Sequence, residues 1–382
     1  MGRGSLNSIS SGAANGTVTL FLCGDVMTGR GIDQILPHPS DPRLFEPYMH
    51  SALGYVKLAE DVSGPLPKPV DFAYVWGEAL AELGRVRPDA RIVNLETAVT
   101  SSDDAWPRKG INYRMHPANA RCLAAAGIGC CVLANNHVLD WGVRGLEETL
   151  DTVHAVGVRT AGAGRDAAEA AAPAVIGISG GRRVLVFAFG MESSGVPPEW
   201  AAGQRKPGVC MLPDLSAKTA DVVASGIAAA KRAGDIVVVS IHWGSNWGYE
   251  VSRSERDFAH RLVDAGADVV HGHSSHHPKA IEIYRERPVL YGCGDFLNDY
   301  EGISGHESFR AGLALMYFPT FDAASGNLAR LTLTPTRIGR FRVNLATEEE
   351  SAWLAGMLDH EGRRFGTRVE RVADDRLVVG GR

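Results

Sequence analysis

The chain has 382 residues, enough to bury a large core in one big domain or two ordinary ones. Hydrophobic residues make up 45% and charged residues 22%, the balance of a soluble globular protein rather than a disordered or membrane-spanning one. A net charge of -5, with no basic run and no stripe of aromatic and arginine residues, argues against nucleic acid as the main partner.

Residues 1–16, MGRGSLNSISSGAANG, are small and polar without the apolar core of a signal peptide, and are expected to form a disordered leader. VTLFLC (18–23) reads as the first core strand and runs directly into Gly24-Asp25. An insertion rich in Pro, Asp and Tyr follows (36–71), then a helical pattern over FAYVWGEALAELGRV. RIVNLE (91–96), CCVLANN (130–136), RVLVFAFG (183–190), IVVVSIHWG (236–244), DVVHGH (268–273) and PVLYGCGDF (288–296) are short β-rich runs. Helical patterns separate them, among them PANARCLAAAG, VRGLEETLDTVHAVG, LSAKTADVVASGIAAAKRAG and SERDFAHRLVDAG. Beyond 312, LALMYFPT and LARLTLTPTRI predict an antiparallel pair, and a closing helix is expected near 346–364.

This alternation predicts an α/β fold whose strands are covered on both faces by helices. Without a repeat or a clear linker, residues 17–340 read as one elaborated domain, with 341–382 as a helical extension packed on it. No stretch approaches the roughly 18 apolar residues needed to cross a bilayer. Six cysteines, at 23, 122, 130, 131, 210 and 293, show no paired spacing, so reduced thiols and a cytoplasmic location are expected.

Every polar motif falls at the carboxyl end of a strand, where α/β folds line their functional crevice. They are the GD of Asp25, the NLE of Glu96, the NNH of Asn136 and His137, the HWG of His242, and VVHGHSSHHP with His271, His273, His276 and His277. A Gly-Asp is also a common turn, and a lone histidine is often a satisfied core residue. Amides and imidazoles ending apolar strands are nevertheless costly to bury without partners. Asp25 and Glu96 supply carboxylates, Asn136 an amide oxygen, and His242, His273 and His276 nitrogens. Mixed oxygen and nitrogen ligation of this kind suits one or two divalent cations, Mn, Fe, Zn or Co. His137 is then free to act as an acid or base.

Around this set, Arg30 is a candidate clamp for a phosphate or carboxylate. Trp106, Lys109, Asn112, Tyr113 and Arg114 follow NLE closely and are candidates to line the crevice, while Trp243 and Trp247 flank HWG as an apolar wall. His306, on a Gly-rich loop after GDFLND, is a further acid/base candidate. Asp140, Asp295, Asn298, His271 and His277 are expected to hold the ligands in place.

Taken in order, GDVMTGR, NLETAVT, NNHVLDWG, HWGSNWG, GHSSHHP and GCGDFLND resemble the CapA family of poly-γ-glutamate capsule-synthesis proteins, over about residues 17–340. The resemblance implies a four-layer α/β/β/α metallophosphoesterase-like sandwich with two divalent cations at the strand ends. It implies that Glu96 bridges them, that Asn136, His242 and His273 hold one, and that Asp25 and His276 hold the other. His137 matches the general acid. Two departures reshape this expectation. Met27 stands where metallophosphoesterases carry the histidine of Asp-x-His, and a thioether is a poor ligand for a hard cation. The last pair, His273 and His276, is spaced His-x-x-His instead of His-x-His. The family's membrane anchor is also expected to be absent.

Three functions follow. The first is a divalent-metal-dependent CapA-type enzyme of hydrolase character, acting on a carboxylate-rich peptide or another anionic small molecule such as a phosphorylated intermediate. The second is a metal-dependent peptide Cα epimerase of a ribosomal-peptide pathway, with Asp25 and His306 as opposed proton carriers. The third is a non-catalytic accessory module of a polymer synthase.

Overall fold

Two mixed sheets stack so that their strand ends share one edge. The computed structural model describes residues 16–381, so the expected leader, Gly16 apart, lies outside the described residues. In the larger sheet the order is Thr367–Arg371, Leu377–Gly381, Leu328–Gly339, Leu313–Asp322, Thr17–Val26, Ala90–Leu95, Cys130–Val132 and Arg159–Ala161. The second sheet runs Ile281–Tyr284, Arg287–Leu290, Val269–His273, Ile236–His242, Arg183–Gly190 and Ala174–Gly177.

Alternation along the strands explains the stacking. In RVLVFAFG, Val184, Val186 and Ala188 join the core shared with the larger sheet, while Leu185, Phe187 and Phe189 turn to the opposite face. That outer face is covered by helices Ala217–Ala230 and Arg253–Asp264 through Val223, Ile227, Phe258 and Leu262. The second helix starts on a capping box, in which Ser252 accepts from the Glu255 N–H and the Glu255 carboxylate accepts from the Ser252 N–H at 2.7 Å. Each fully buried Phe or Leu on its inner stripe contributes about 1.5–3 kcal/mol. Ala79–Val86 and Gly142–Ala155 bury Leu83, Leu146 and Leu150 in the larger core. The architecture is an α/β/β/α sandwich, as the resemblance implies.

Three segments depart from the sequence reading. The 36–71 insertion contains a helix, Ala52–Ser63, started by Ser51 and seated through Tyr55, Val56 and Ala59. PVLYGCGDF is not one strand. Arg287–Leu290 stays in the second sheet, and Asp295–Leu297 crosses to pair with Thr17–Val26, setting Asp295 beside Asp25. The crossing needs glycine twice: Gly294 has φ +76°, and a Cβ on Gly24 would lie 1.6 Å from the Gly294 carbonyl oxygen. The 341–382 segment is only partly helical. Glu348–Gly362 is the expected helix, but Thr367–Arg371 and Leu377–Gly381 form a hairpin that pairs with Leu328–Gly339, because Val369, Leu377 and Val379 alternate into the core. Among the described residues no helix is long and apolar enough to cross a membrane.

Candidate metal centre

Parallel pairing aligns the motif-bearing strand ends. Asp25 is the register partner of Asn94, and His242 that of His273. His271 joins the sheets by donating from Nε2 to the Cys23 carbonyl at 2.8 Å, and its Nδ1 lies 3.0 Å from the Ser240 hydroxyl. The donor atoms of Asp25, His242 and His273 fall within 4.8 Å of one another, all three residues buried. His242 Nδ1 lies 2.7 Å from His273 Nδ1, and His273 Nδ1 lies 3.9 Å from Asp25 Oδ1. On its other side His242 Nε2 meets Asn136 Oδ1 at 3.2 Å and Glu96 Oε1 at 3.9 Å. His242 therefore stands between Asn136 and Glu96 on one side and Asp25 and His273 on the other.

This grouping differs from the one the resemblance implies. His273 groups with Asp25, not with Asn136, and His276 is not in that group. The His276 Nδ1 is hydrogen-bonded to Asp295 at 2.9 Å, and Asn298 donates to the same carboxylate at 2.7 Å. The reason is the crossing strand, which sets the Asp295 carboxylate between His276 and Asp25. His277 turns away, its Nε2 accepting from the Gly248 N–H at 3.2 Å and its ring stacked on Phe309. Met27 is fully buried, with its backbone N–H bonded to Leu297.

The electrostatics follow from burial. Burial first, and the Asp295 carboxylate second, push the Asp25 carboxyl up to about 7. Burial and then Asp25 raise Glu96 well above the usual carboxylate range. Burial lowers His242 and His273 far below the ordinary imidazole value, and takes His137 down to about 4 against the pull of Asp140. Burial would also lower His276, but Asp295 outweighs it and leaves that imidazole raised.

His137 Nδ1 is 2.6 Å from Asp140 Oδ2, and its Nε2 is 3.8 Å from Glu96 Oε1. The Tyr113 ring meets it edge-on at 4.5 Å. Two residues without an assigned role hold the constellation. Asn94 donates to Asp25 at 2.8 Å and to Glu96 at 3.3 Å. Asn135 donates to Asn94 at 3.0 Å and accepts from the His137 backbone N–H at 3.1 Å. Both sit inside the NLE and NNH motifs, and the signal was there: a buried amide needs partners.

Several substrate candidates are engaged elsewhere. Arg30 is no free anion clamp, since its guanidinium is paired with Asp299 and Glu46 and bonded to the Tyr55 hydroxyl, all buried. Arg114 is spent on Asp103 and on the Ser102 and Asp41 carbonyls. Trp243 is buried under the outer helices, donating to the Tyr291 carbonyl at 3.0 Å, so it is core and not a crevice wall. Trp106 packs edge-on against Trp200. Trp247 remains at the crevice, 5.2 Å from the His276 ring, and carries the exposed His306 ring stacked on it at 3.7 Å. His306 thus stands exposed on the rim of the crevice, stacked on Trp247. A cavity of about 600 Å³ opens here, lined by Trp247, His276, Asn298, Tyr300, His306 and Arg310.

Residues 19–300 match the family described as "Bacterial capsule synthesis protein PGA_cap". The chain is 50% identical over 363 residues to a "Probable polyglutamine synthesis accessory protein" of Mycobacterium tuberculosis (strain ATCC 25618 / H37Rv), covering 95% of this chain and 96% of that one. It is 24% identical over 285 residues to the "Capsule biosynthesis protein CapA" of Bacillus anthracis, covering 75% of this chain and 61% of the relative. A solved 5'-nucleotidase precursor from Thermus thermophilus superposes with a TM-score of 0.45 at 16% identity, over 87% of this chain and 55% of that one. With the matched region spanning every strand-end motif, the chain belongs to the PGA_cap family of bacterial capsule synthesis proteins.

Proposed function

We propose that this protein is a divalent-cation-dependent enzyme of CapA type, acting on a carboxylate-rich peptide of the poly-γ-glutamate kind. The observation that carries the reading is the buried convergence of Asp25, His242 and His273, with Glu96 and Asn136 adjoining. The donor set fits a cation. His242 and His273 are held neutral by burial, the form in which imidazole ligates, and the raised Asp25 and Glu96 are carboxyls that no lysine or arginine among the described residues pairs with directly. Asp25, Glu96, Asn136, His242 and His273 would hold it, with His276 acting through Asp295. A bound divalent cation supplies a Lewis acid that polarises a carbonyl or phosphoryl oxygen.

The chain's own groups complete the site. Asp140 accepts a hydrogen bond from His137 Nδ1–H, which leaves the Nε2 lone pair facing Glu96, so His137 accepts a proton at Nε2 before it can return one as a general acid. The cavity beside Trp247 and Tyr300 holds the part of the substrate beyond the reacting bond. The six free cysteines, five of them buried, support a cytoplasmic location.

Elemental analysis and calorimetry with Mn, Fe, Zn and Co salts, followed by incubation with poly-γ-glutamate, test the reading. Saturable binding of one or two cations, lost in Glu96→Ala, and cation-dependent polymer cleavage are expected; purified protein that takes up none of the four cations rejects it. The accessory function named for the M. tuberculosis relative supports a second reading, a non-catalytic module assisting a polymer synthase. Cation binding without turnover, coupled to stimulation of the synthase, favours that one.

A further inference from the structure

We infer that Lys109 is the residue that meets an anionic group of the substrate, a carboxylate or a phosphate, at the cation site. The inference rests on the cation-centre reading and adds to it the charge that recognises the ligand. Three basic side chains, Arg30, Lys109 and Arg114, come from the segments that follow the GD and NLE motifs. Arg30 is neutralised by Asp299 and Glu46, and Arg114 by Asp103 and two carbonyls. Lys109 is different. Among the described residues the one carboxylate within 4 Å of its ammonium is Asp140, at 3.4 Å, a loose pairing, and its side chain keeps 13% exposure.

The loop that carries it is built around Asp140. The Trp106 N–H donates to the Asp140 carbonyl at 2.8 Å, Asn112 donates to the same carbonyl at 3.0 Å, and the Tyr113 N–H donates to the Asp140 carboxylate at 2.7 Å. Lys109 lies between these anchors. Asp140 is also the partner of His137, so the loop sets the ammonium next to the imidazole that faces Glu96. The Trp200 ring lies 5.8 Å from Nζ, and its buried indole N–H has no hydrogen-bond partner among the described residues. A lysine ammonium is a mobile point charge with three donors, so it turns from Asp140 to an incoming anion without dismantling the loop.

The test compares wild type, Lys109→Met and Lys109→Arg, each first assayed for bound Mn by elemental analysis and for folding by thermal melting. Calorimetry then follows binding of inorganic phosphate and, separately, of γ-glutamyl-glutamate, with and without Mn. Lys109→Met should hold Mn as wild type does and bind at least one anion roughly ten- to a hundredfold more weakly, the range for losing a hydrogen bond to a charged group. Lys109→Arg should keep most of the affinity, and the anion affected tells phosphate from carboxylate as the source. Equal anion affinity in wild type and Lys109→Met overturns the inference. So does binding of neither anion by wild type, or an Arg variant as weak as the Met variant. Wild type that holds no Mn sinks the cation reading instead, and the Mn-free titrations still decide the role of Lys109.

Discussion

Nδ1 of His242 and Nδ1 of His273 face each other across 2.7 Å because the two residues are register partners on adjacent parallel strands. The far nitrogens face the Asn136 amide oxygen and the Ser240 hydroxyl, so each neutral imidazole can carry its proton there and offer its Nδ1 lone pair to a shared cation. Protons released on cation binding would therefore come from the raised Asp25 and Glu96 carboxyls and not from these two histidines.

The first prediction separates the histidines. His273→Ala should weaken cation binding by more than roughly tenfold, the loss that even an outer-sphere partner of a metal site can cause. His276→Ala, which acts through Asp295, should cost less. Calorimetric titration with Mn checks the order, and equal losses would return His276 to the direct ligands.

A second prediction concerns pH. The folded protein keeps a proton on Asp25 up to about 7, whereas an unfolded aspartate loses it near the ordinary value of 3.8. The raised value therefore favours folding at low pH, and that contribution is lost as pH rises through about 7. His137, His271 and His277, each lowered to about 4 chiefly by burial, act in the opposite sense: their contribution is present above the ordinary imidazole value and lost as pH falls towards 4. A cation competes with the Asp25 proton alone among these four. The rise in melting temperature on adding Mn should thus be larger at pH 8 than at pH 6. The same rise at both would remove Asp25 from the ligand set.

Arg30 should matter to stability rather than to ligand recognition. Arg30→Ala leaves Asp299 and Glu46 buried without their partner, and breaking a buried pair in this way costs about 3–5 kcal/mol. Urea unfolding measures it. Unchanged stability accompanied by lost phosphate binding would restore the anion-clamp role.

The two tryptophans of HWGSNWG should part ways. Trp243→Ala opens a cavity under the outer helices and should cost about 3–5 kcal/mol in urea unfolding, with cation content unchanged. Trp247 is half-buried at the crevice rim, so Trp247→Ala should stay within about 1 kcal/mol of wild type. Similar losses in both would mean that Trp247 is also a framework residue.

Much of the fold is legible in the chain itself. Period-two runs such as RVLVFAFG and apolar runs such as IVVVSIHWG announce strands because burial on one or both faces demands those side chains. The polar residues that end them announce a site because an unpartnered amide or imidazole is expensive to bury. The helix in the 36–71 insertion was hidden by its Pro- and Asp-rich flanks. The C-terminal hairpin was masked by the helix before it, although TRVER and LVVGG alternate as strands do.

What local pattern cannot carry is pairing. Arg30, Arg114 and Trp243 read as ligand contacts until their partners Asp299, Asp41 and Tyr291 are in place, each brought up by another part of the chain. The alternation of strands and helices, and the carboxylates, amides and imidazoles that end the strands, are written in the chain alone. That His242 stands between Asn136 and Asp25, while His276 answers to Asp295, comes from tertiary packing. Hydrophobic period is a property of neighbouring residues. The partner of a buried polar group is set by how two sheets stack, here joining His271 to Cys23 across 248 residues of chain.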